Sequence, residues 1–163
     1  MSKRSSLIVT VLLIIVGLAG RFLPHPWNMT PLTAIAIFSS TYLSLRYSFL
    51  IFFLTMVVAD IFLGFYEWQI MLAVYGSFAL ASLIGLIIRR HKMPTTILFC
   101  SLGSSVLFFL LTNFAVWQFS GMYEHTLVGI IQCFTLAIPF FKNALFGDLL
   151  YSGVLFGVYE VVK

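Results

Sequence analysis

Charged side chains are scarce in this sequence of 163 residues. Only 9% of the residues are Asp, Glu, Lys or Arg, whereas 61% are hydrophobic and the mean hydropathy is +1.09. A soluble domain of this size needs far more polar side chains to cover its surface. The composition therefore excludes a soluble globular protein and predicts an integral membrane protein.

Several patterns that would indicate a barrel, a metal centre or an enzyme are missing. The long apolar segments lack the period-2 alternation of transmembrane barrels, so we predict an all-α bundle that forms a single membrane domain over residues 1–163. Cys100 and Cys133 stand alone in apolar sequence, which favours two buried thiols and no metal site. The sequence has no nucleotide-binding or hydrolase motif, so we expect no enzyme activity and no cofactor.

The positive charges are sorted by position. Seven of the nine Lys and Arg residues lie at a terminus or in alternate gaps between apolar segments: Lys3, Arg4, Arg46, Arg89, Arg90, Lys92 and Lys163. Cytoplasmic loops of membrane proteins concentrate Lys and Arg, so this pattern predicts a cytoplasmic N-terminus. Because these charges flank membrane segments, we assign the net charge of +4 to contact with lipid headgroups and expect no nucleic-acid partner.

About 20 apolar residues cross a bilayer as a helix. The sequence offers five such segments before its last part: Leu7 to Leu23, Leu32 to Leu45, Tyr47 to Phe65, Trp68 to Ile88 and Thr95 to Phe119. The first could be a secretory signal. It runs past Ala19 without a clean cleavage site, which favours an uncleaved first span.

The last apolar segment, Leu127 to Val162, would form a helix of about 54 Å, which is too long for one crossing. We expect it to break at Pro139 and Lys142. One alternative has a short outer or re-entrant helix up to Ile138, then a sixth span. The other has two spans joined by a cytoplasmic turn at Lys142, which makes seven. We favour the six-transmembrane-helix bundle.

Small residues recur at every fourth position in the fourth segment, at Ala73, Ser77, Ala81 and Gly85. Gly153 and Gly157 repeat this spacing in the last segment. Such stripes let helices approach closely in lipid. We expect them to pack within the chain, and the alternative is contact with another membrane subunit.

A few polar side chains interrupt the apolar segments, and in the six-span topology they fall in the outer half of the membrane. A charge at mid-membrane is costly, on the order of 2.5–3.5 kcal/mol, so it is usually paired or faces water. We predict an outward-facing pocket with the substrate-binding residues Asn28, Asp60, Asn113, Trp117, Lys142, Asn143 and Asp148. In this hypothesis Lys142 faces an anionic or polar group of the solute, and Trp117 stacks on a ring.

Two other interpretations of the same charges stay open. Lys142 could simply neutralise Asp60 or Asp148 and hold two helices together. The second interpretation is a proton relay through the two carboxyl groups, although the sequence places no histidine inside a span beside them.

Four segments resemble a family of uncharacterised small bacterial membrane proteins. They are residues 21–31 (RFLPHPWNMTP), 74–78 (VYGSF), 112–117 (TNFAVW) and 138–152 (IPFFKNALFGDLLYS). That family is similar to the substrate-binding S components of energy-coupling factor (ECF) vitamin transporters. The resemblance implies an ECF S-component-like fold in the bacterial inner membrane. It also implies capture of a vitamin-like solute and energising partners, a transmembrane T subunit and ATPases.

The first segment departs from the S-component pattern. S components dock through a stripe of small residues on the first helix, and this chain has only Gly17, Ala19 and Gly20 there. A solitary uptake protein is therefore an alternative. A second functional hypothesis is a membrane scaffold or assembly partner similar to small cell-shape membrane proteins, with its partner bound along Ala73 to Gly85.

Overall fold

Residues 3–162 are described by a computed structural model, and within that range the regular structure is entirely helical. The helices are α1 (Lys3–Phe22), α2 (Leu32–Tyr42), α3 (Leu45–Leu63), α4 (Trp68–Arg90), α5 (Pro94–Phe119) and α6 (Leu127–Val162). All except α2 are long and apolar enough to cross a membrane. The predicted all-α membrane architecture is confirmed at this level.

The short helix α2 forms the centre of the bundle. Its residues from Leu32 to Thr41 are all buried, and α1, α3, α4, α5 and α6 pack against it. Eleven residues span about 16 Å, roughly half of a hydrocarbon core about 30 Å thick. The predicted second span is therefore a half-length helix, preceded by the irregular residues 23–31.

Hydroxyl groups join the centre of the bundle. Ser48 Oγ on α3 lies 2.7 Å from Ser82 Oγ on α4 and 3.0 Å from Ser39 Oγ on α2. Ser48 also donates to the carbonyl oxygen of Ala36 at 2.9 Å. Where water is absent, buried polar groups need such partners, so this cluster ties three helices together.

The small-residue stripe of α4 packs inside the chain. Ser77, Ala81 and Gly85 are buried, and a Cβ atom on Gly85 would overlap Ile37 and Ser40 of α2. The expected packing within the chain is therefore observed for α4 but is wrong for Gly153 and Gly157 of α6, where an added Cβ would meet nothing within 4 Å. The scaffold hypothesis predicted a partner on the stripe of α4, where α2 already lies.

Helix α6 is continuous, so the expected break at Pro139 and Lys142 is wrong. The structure has neither a separate outer or re-entrant helix before the last span nor a turn at Lys142. Proline removes one backbone N–H and bends a helix, but every other residue still gains its hydrogen bond by remaining helical. A helix longer than the bilayer is accommodated by tilting or by extending beyond it.

The loops divide between two ends of the bundle. At the first, which we call the basic end, Tyr42 donates to Glu160 at 2.9 Å and Lys92 Nζ lies 5.2 Å from the Tyr42 ring centre. Arg46 and the connection from α4 to α5 lie there. The irregular residues 23–31, 64–67 and 120–126 form the opposite end. Lys163 lies outside the described residues.

Candidate binding cavity

A cavity opens at the end of the bundle opposite the basic end. It has an outer compartment of about 330 Å³ and a deeper one of about 70 Å³. The two compartments share Arg21, Asn28, Val74, Ser105, Phe108 and Ala144. Sites for small organic ligands usually occupy about 300–1,000 Å³, so the outer compartment is large enough for a compact molecule.

The walls and floor of this cavity differ in chemistry. Aromatic side chains line the outer compartment, namely Tyr66, Phe108, Phe109, Phe140 and Phe141. Thr112 and Asn113 on α5 add polar atoms to the same wall. The deeper compartment ends on Leu32 and Thr33, at the start of α2, and on Asp148 of α6. The half-length of α2 therefore leaves the space that becomes the cavity.

Arg21, which lines both compartments, is held by a buried acid. Its Nη2 donates to Asp60 Oδ1 at 2.6 Å, and Tyr75 donates its hydroxyl to Asp60 Oδ2 at 2.9 Å. Asp60 is fully buried, whereas 21% of the Arg21 side chain is exposed. Arg21 Nε is buried and has no hydrogen-bond acceptor within the described part of the chain. This guanidinium group can therefore donate further hydrogen bonds.

Asp148 is the second buried acid, and its surroundings are different. It is 4% exposed, lies 2.6 Å from Ser105 Oγ through Oδ2, and is hydrogen-bonded to the hydroxyl of Thr33. The Arg21–Asp60 pair is the only salt bridge among residues 4–162. Asp148 thus borders the cavity with neutral hydrogen-bond partners and no adjacent cation.

Tyr66 adds a neutral donor to the rim. It lies in the connection between α3 and α4. Burial raises the pKa of Tyr66 to about 12, and the negative charge of Asp60 acts in the same direction while Arg21 opposes it. Its phenol therefore remains protonated at neutral pH.

Of the predicted binding residues, the structure brings three to the cavity wall: Asn28, Asn113 and Asp148. Asp60 lies behind Arg21 and reaches the cavity only through it. The other predicted residues, Trp117, Lys142 and Asn143, are not part of the lining.

Lys142 is exposed, and Asn143 is half-buried beside it on α6. The interpretation of Lys142 as counter-ion to Asp60 or Asp148 is wrong, because Asp60 pairs with Arg21 and Asp148 has no charged partner in the described part of the chain. Trp117 donates its ring N–H to the carbonyl oxygen of Glu124 at 3.0 Å. That bond holds the connection between α5 and α6.

Arg21 and the hydroxyl groups around Asp148 were not among the binding residues predicted from the sequence. One signal for Arg21 was available, because it lies near the end of the first apolar segment, on the side of the membrane whose predicted loops otherwise lack Arg and Lys. A positive charge that departs from the positive-inside pattern needs a partner or a function. Ser105 and Thr33 gave no such signal, since hydroxyl groups are common in membrane helices.

These features define a class of protein: a helical membrane bundle in which a half-length central helix leaves a cavity with aromatic walls and a polar floor. The chain belongs to DUF6580, a family of unknown function whose model matches residues 1–163. The predicted membership of an uncharacterised family is confirmed. No curated protein and no solved structure matches the chain.

Proposed function

We propose that this protein is an S-component-like, substrate-binding membrane protein that captures a small organic solute, such as a vitamin-like compound, for uptake. The observation that supports this proposal is the outer compartment of about 330 Å³, which adjoins the polar side chains of Thr33 and Asp148 in the deeper one. A bundle that served only as a scaffold would not need a cavity bordered by a buried carboxyl group without a salt-bridge partner, such as Asp148, because a buried polar group costs stability in lipid.

The cavity lining matches a ligand with an apolar or aromatic part and a few polar groups. Phe108, Phe109 and Phe140 offer ring faces and edges for stacking. Asn113 donates its side-chain amide to the carbonyl oxygen of Phe109 at 2.8 Å, which leaves the amide oxygen available as an acceptor. Arg21 supplies donors on the other side.

The proposed direction of capture follows from the charges. Arg46, Arg89, Arg90 and Lys92 are exposed at the basic end, which the positive-inside rule assigns to the cytoplasm of the bacterial inner membrane. The cavity opens at the other end and thus faces outward. A solute would enter between residues 23–31 and the end of α5.

Uptake requires an energy source, which the resemblance assigns to a T subunit and ATPases.

The scaffold function is the second candidate, and one surface favours it. An apolar groove of about 470 Å³ between α5 and α6 includes Gly153 and Gly157, where an added Cβ would meet nothing within 4 Å.

Native mass spectrometry of protein extracted gently from its host tests the proposal. We expect a bound small molecule on the wild type. Ala144→Phe should abolish it by filling the cavity, because Ala144 lines both compartments. Leu150→Phe is the matched control, since Leu150 is 43% exposed on the same helix. A stoichiometric protein partner without any small molecule would instead support the scaffold.

A further inference from the structure

We propose that Asp148 is a proton-exchange site at the floor of the cavity. It carries a proton when the cavity is empty and releases it when a cationic group of the solute approaches the carboxylate. The first half of this inference stands on the geometry of residues 4–162 alone. The second half rests on the proposed function and names its solute class, a small organic cation.

The charges around Asp148 leave an ionised carboxylate uncompensated. It meets the hydroxyl of Thr33 on α2 and that of Ser105 on α5. The other titratable side chains of the cavity lining are Arg21 and Tyr66, and the charge of Arg21 is neutralised by Asp60. When Asp148 is ionised, Arg21, Asp60 and Asp148 together therefore carry one net negative charge. A buried charge without a counter-ion is strongly disfavoured, so the empty site holds a proton.

The hydrogen bonds of Ser105 fit both protonation states. Its one hydroxyl proton has two acceptors in reach, the carbonyl oxygen of Ser101 at 3.0 Å and Asp148 Oδ2 at 2.6 Å. When Asp148 is protonated, it donates to Ser105 Oγ and Ser105 donates to Ser101. When Asp148 is ionised, the Ser105 hydroxyl rotates and donates to the carboxylate. Rotation of one hydroxyl group thus lets the site accommodate both protonation states.

The exchange balances in charge and atoms. A cationic group enters the deeper compartment, the O–H bond of the Asp148 carboxylic acid breaks, and the proton passes to water in the cavity. The carboxylate and the cation then form the ion pair that the empty site lacks. The ring of Phe108, which lines both compartments, offers a cation–π contact to the same group.

Asp60 is a control built into the same chain. It is as deeply buried as Asp148, but it accepts hydrogen bonds from a guanidinium and a phenol. The two acids therefore differ in their counter-ion and hardly at all in their burial, and a probe of protonated carboxyl groups should distinguish them.

Dicyclohexylcarbodiimide, which reacts with protonated carboxyl groups in apolar surroundings, tests the first half on the full-length protein in detergent. We expect peptide mass spectrometry to find the label on Asp148 at neutral pH, with less label as the pH rises, and none on Asp60. Asp148→Asn should abolish the label and Asp60→Asn should leave it. Infrared spectroscopy detects the protonated carboxyl group whether or not the reagent reaches it. We expect a carboxylic-acid C=O band in the wild type and in Asp60→Asn, and no such band in Asp148→Asn. Absence of that band in the wild type would overturn the proton site.

Protection from labelling tests the second half. Benzylamine should slow modification of Asp148 several-fold, whereas benzyl alcohol, which is neutral and nearly the same size, should not. Equal protection by both compounds, or by neither, would overturn the cation exchange while leaving the proton site intact. Failure of the proposed function is seen separately, as the absence of any small molecule on the native protein.

Discussion

The guanidinium group of Arg21 lies 2.6 Å from the carboxylate of Asp60, which is 39 residues further along the chain. This pair joins the end of α1 to α3, and Tyr75 adds α4 to the same carboxylate. Because Arg21 also lines the cavity, one ion pair both holds the first helix in place and presents hydrogen-bond donors to the binding space.

Breaking this ion pair should destabilise the fold. In Arg21→Met, Asp60 would remain buried without its cation. We expect this to lower the free energy of unfolding by up to about 3 kcal/mol. This value is the lower end of the range for buried pairs, because Arg21 is 21% exposed. Tyr75→Phe removes only a hydrogen bond and should cost about 1 kcal/mol. Thermal unfolding in detergent measures both.

Lys142→Met is the matched control for the loss of a positive charge. Lys142 is exposed, so its replacement should leave the melting temperature unchanged. Equal melting of Arg21→Met and Lys142→Met would contradict a structural role for the ion pair. Combining Arg21→Met with Asp60→Leu should recover part of the loss, since the unpaired charge is then gone.

Helix positions were predictable because the breaks between them are marked by Pro, Gly and charged residues. The fourth segment was expected from Trp68 to Ile88 and forms Trp68–Arg90, and the fifth was expected from Thr95 and begins at Pro94. Pro139 misled the prediction because a local signal for a break was opposed by the cost of unpaired backbone groups in lipid. The length of the last apolar segment did not show which of these two effects would determine its structure.

The binding site was less predictable than the helices. Counting depth along each span brought Asn28, Asn113 and Asp148 to the same end of the bundle, and they do line one cavity. The depth of a residue along a helix does not show which way its side chain points around the helix axis. For this reason Lys142 was predicted to line the pocket, although its side chain is exposed. The pairing of Arg21 with Asp60 depends on tertiary contact, which no local pattern encodes.

The contact between α2 and α4 at Gly85 should tolerate no added side chain. A Cβ there would overlap the Ile37 backbone and the Ser40 side chain, so Gly85→Ala should destabilise the protein by about 1–3 kcal/mol. Gly153→Ala is the control in an open position and should be neutral or slightly stabilising, because alanine favours the helix. If the two variants unfold alike, this close approach is not what holds α2 in place.

Cysteine labelling in intact cells should reveal which end faces outward. Met122, 69% exposed at the cavity end, and Arg90, exposed at the basic end, are suitable positions for single cysteines. We expect a membrane-impermeant maleimide to label Met122→Cys and to spare Arg90→Cys until the cells are opened. The native Cys100 and Cys133 are buried and should contribute little background. The reverse labelling pattern would turn the cavity toward the cytoplasm and contradict capture from outside.

Two hydroxyl groups on α3 should contribute very differently to stability, although both are fully buried. Ser48 joins Ser39, Ser82 and the Ala36 carbonyl, so Ser48→Ala should cost about 1–2 kcal/mol by removing the hydrogen bonds that connect α3 to α2 and α4. Thr55 Oγ1 has no hydrogen-bond partner among the residues that the structure describes, so Thr55→Val, which keeps the shape, should be neutral or stabilising. Thermal unfolding of the two variants under identical detergent conditions measures the difference. A larger loss for Thr55→Val than for Ser48→Ala would mean that the hydroxyl cluster is not the polar connection that ties α2 to α3 and α4.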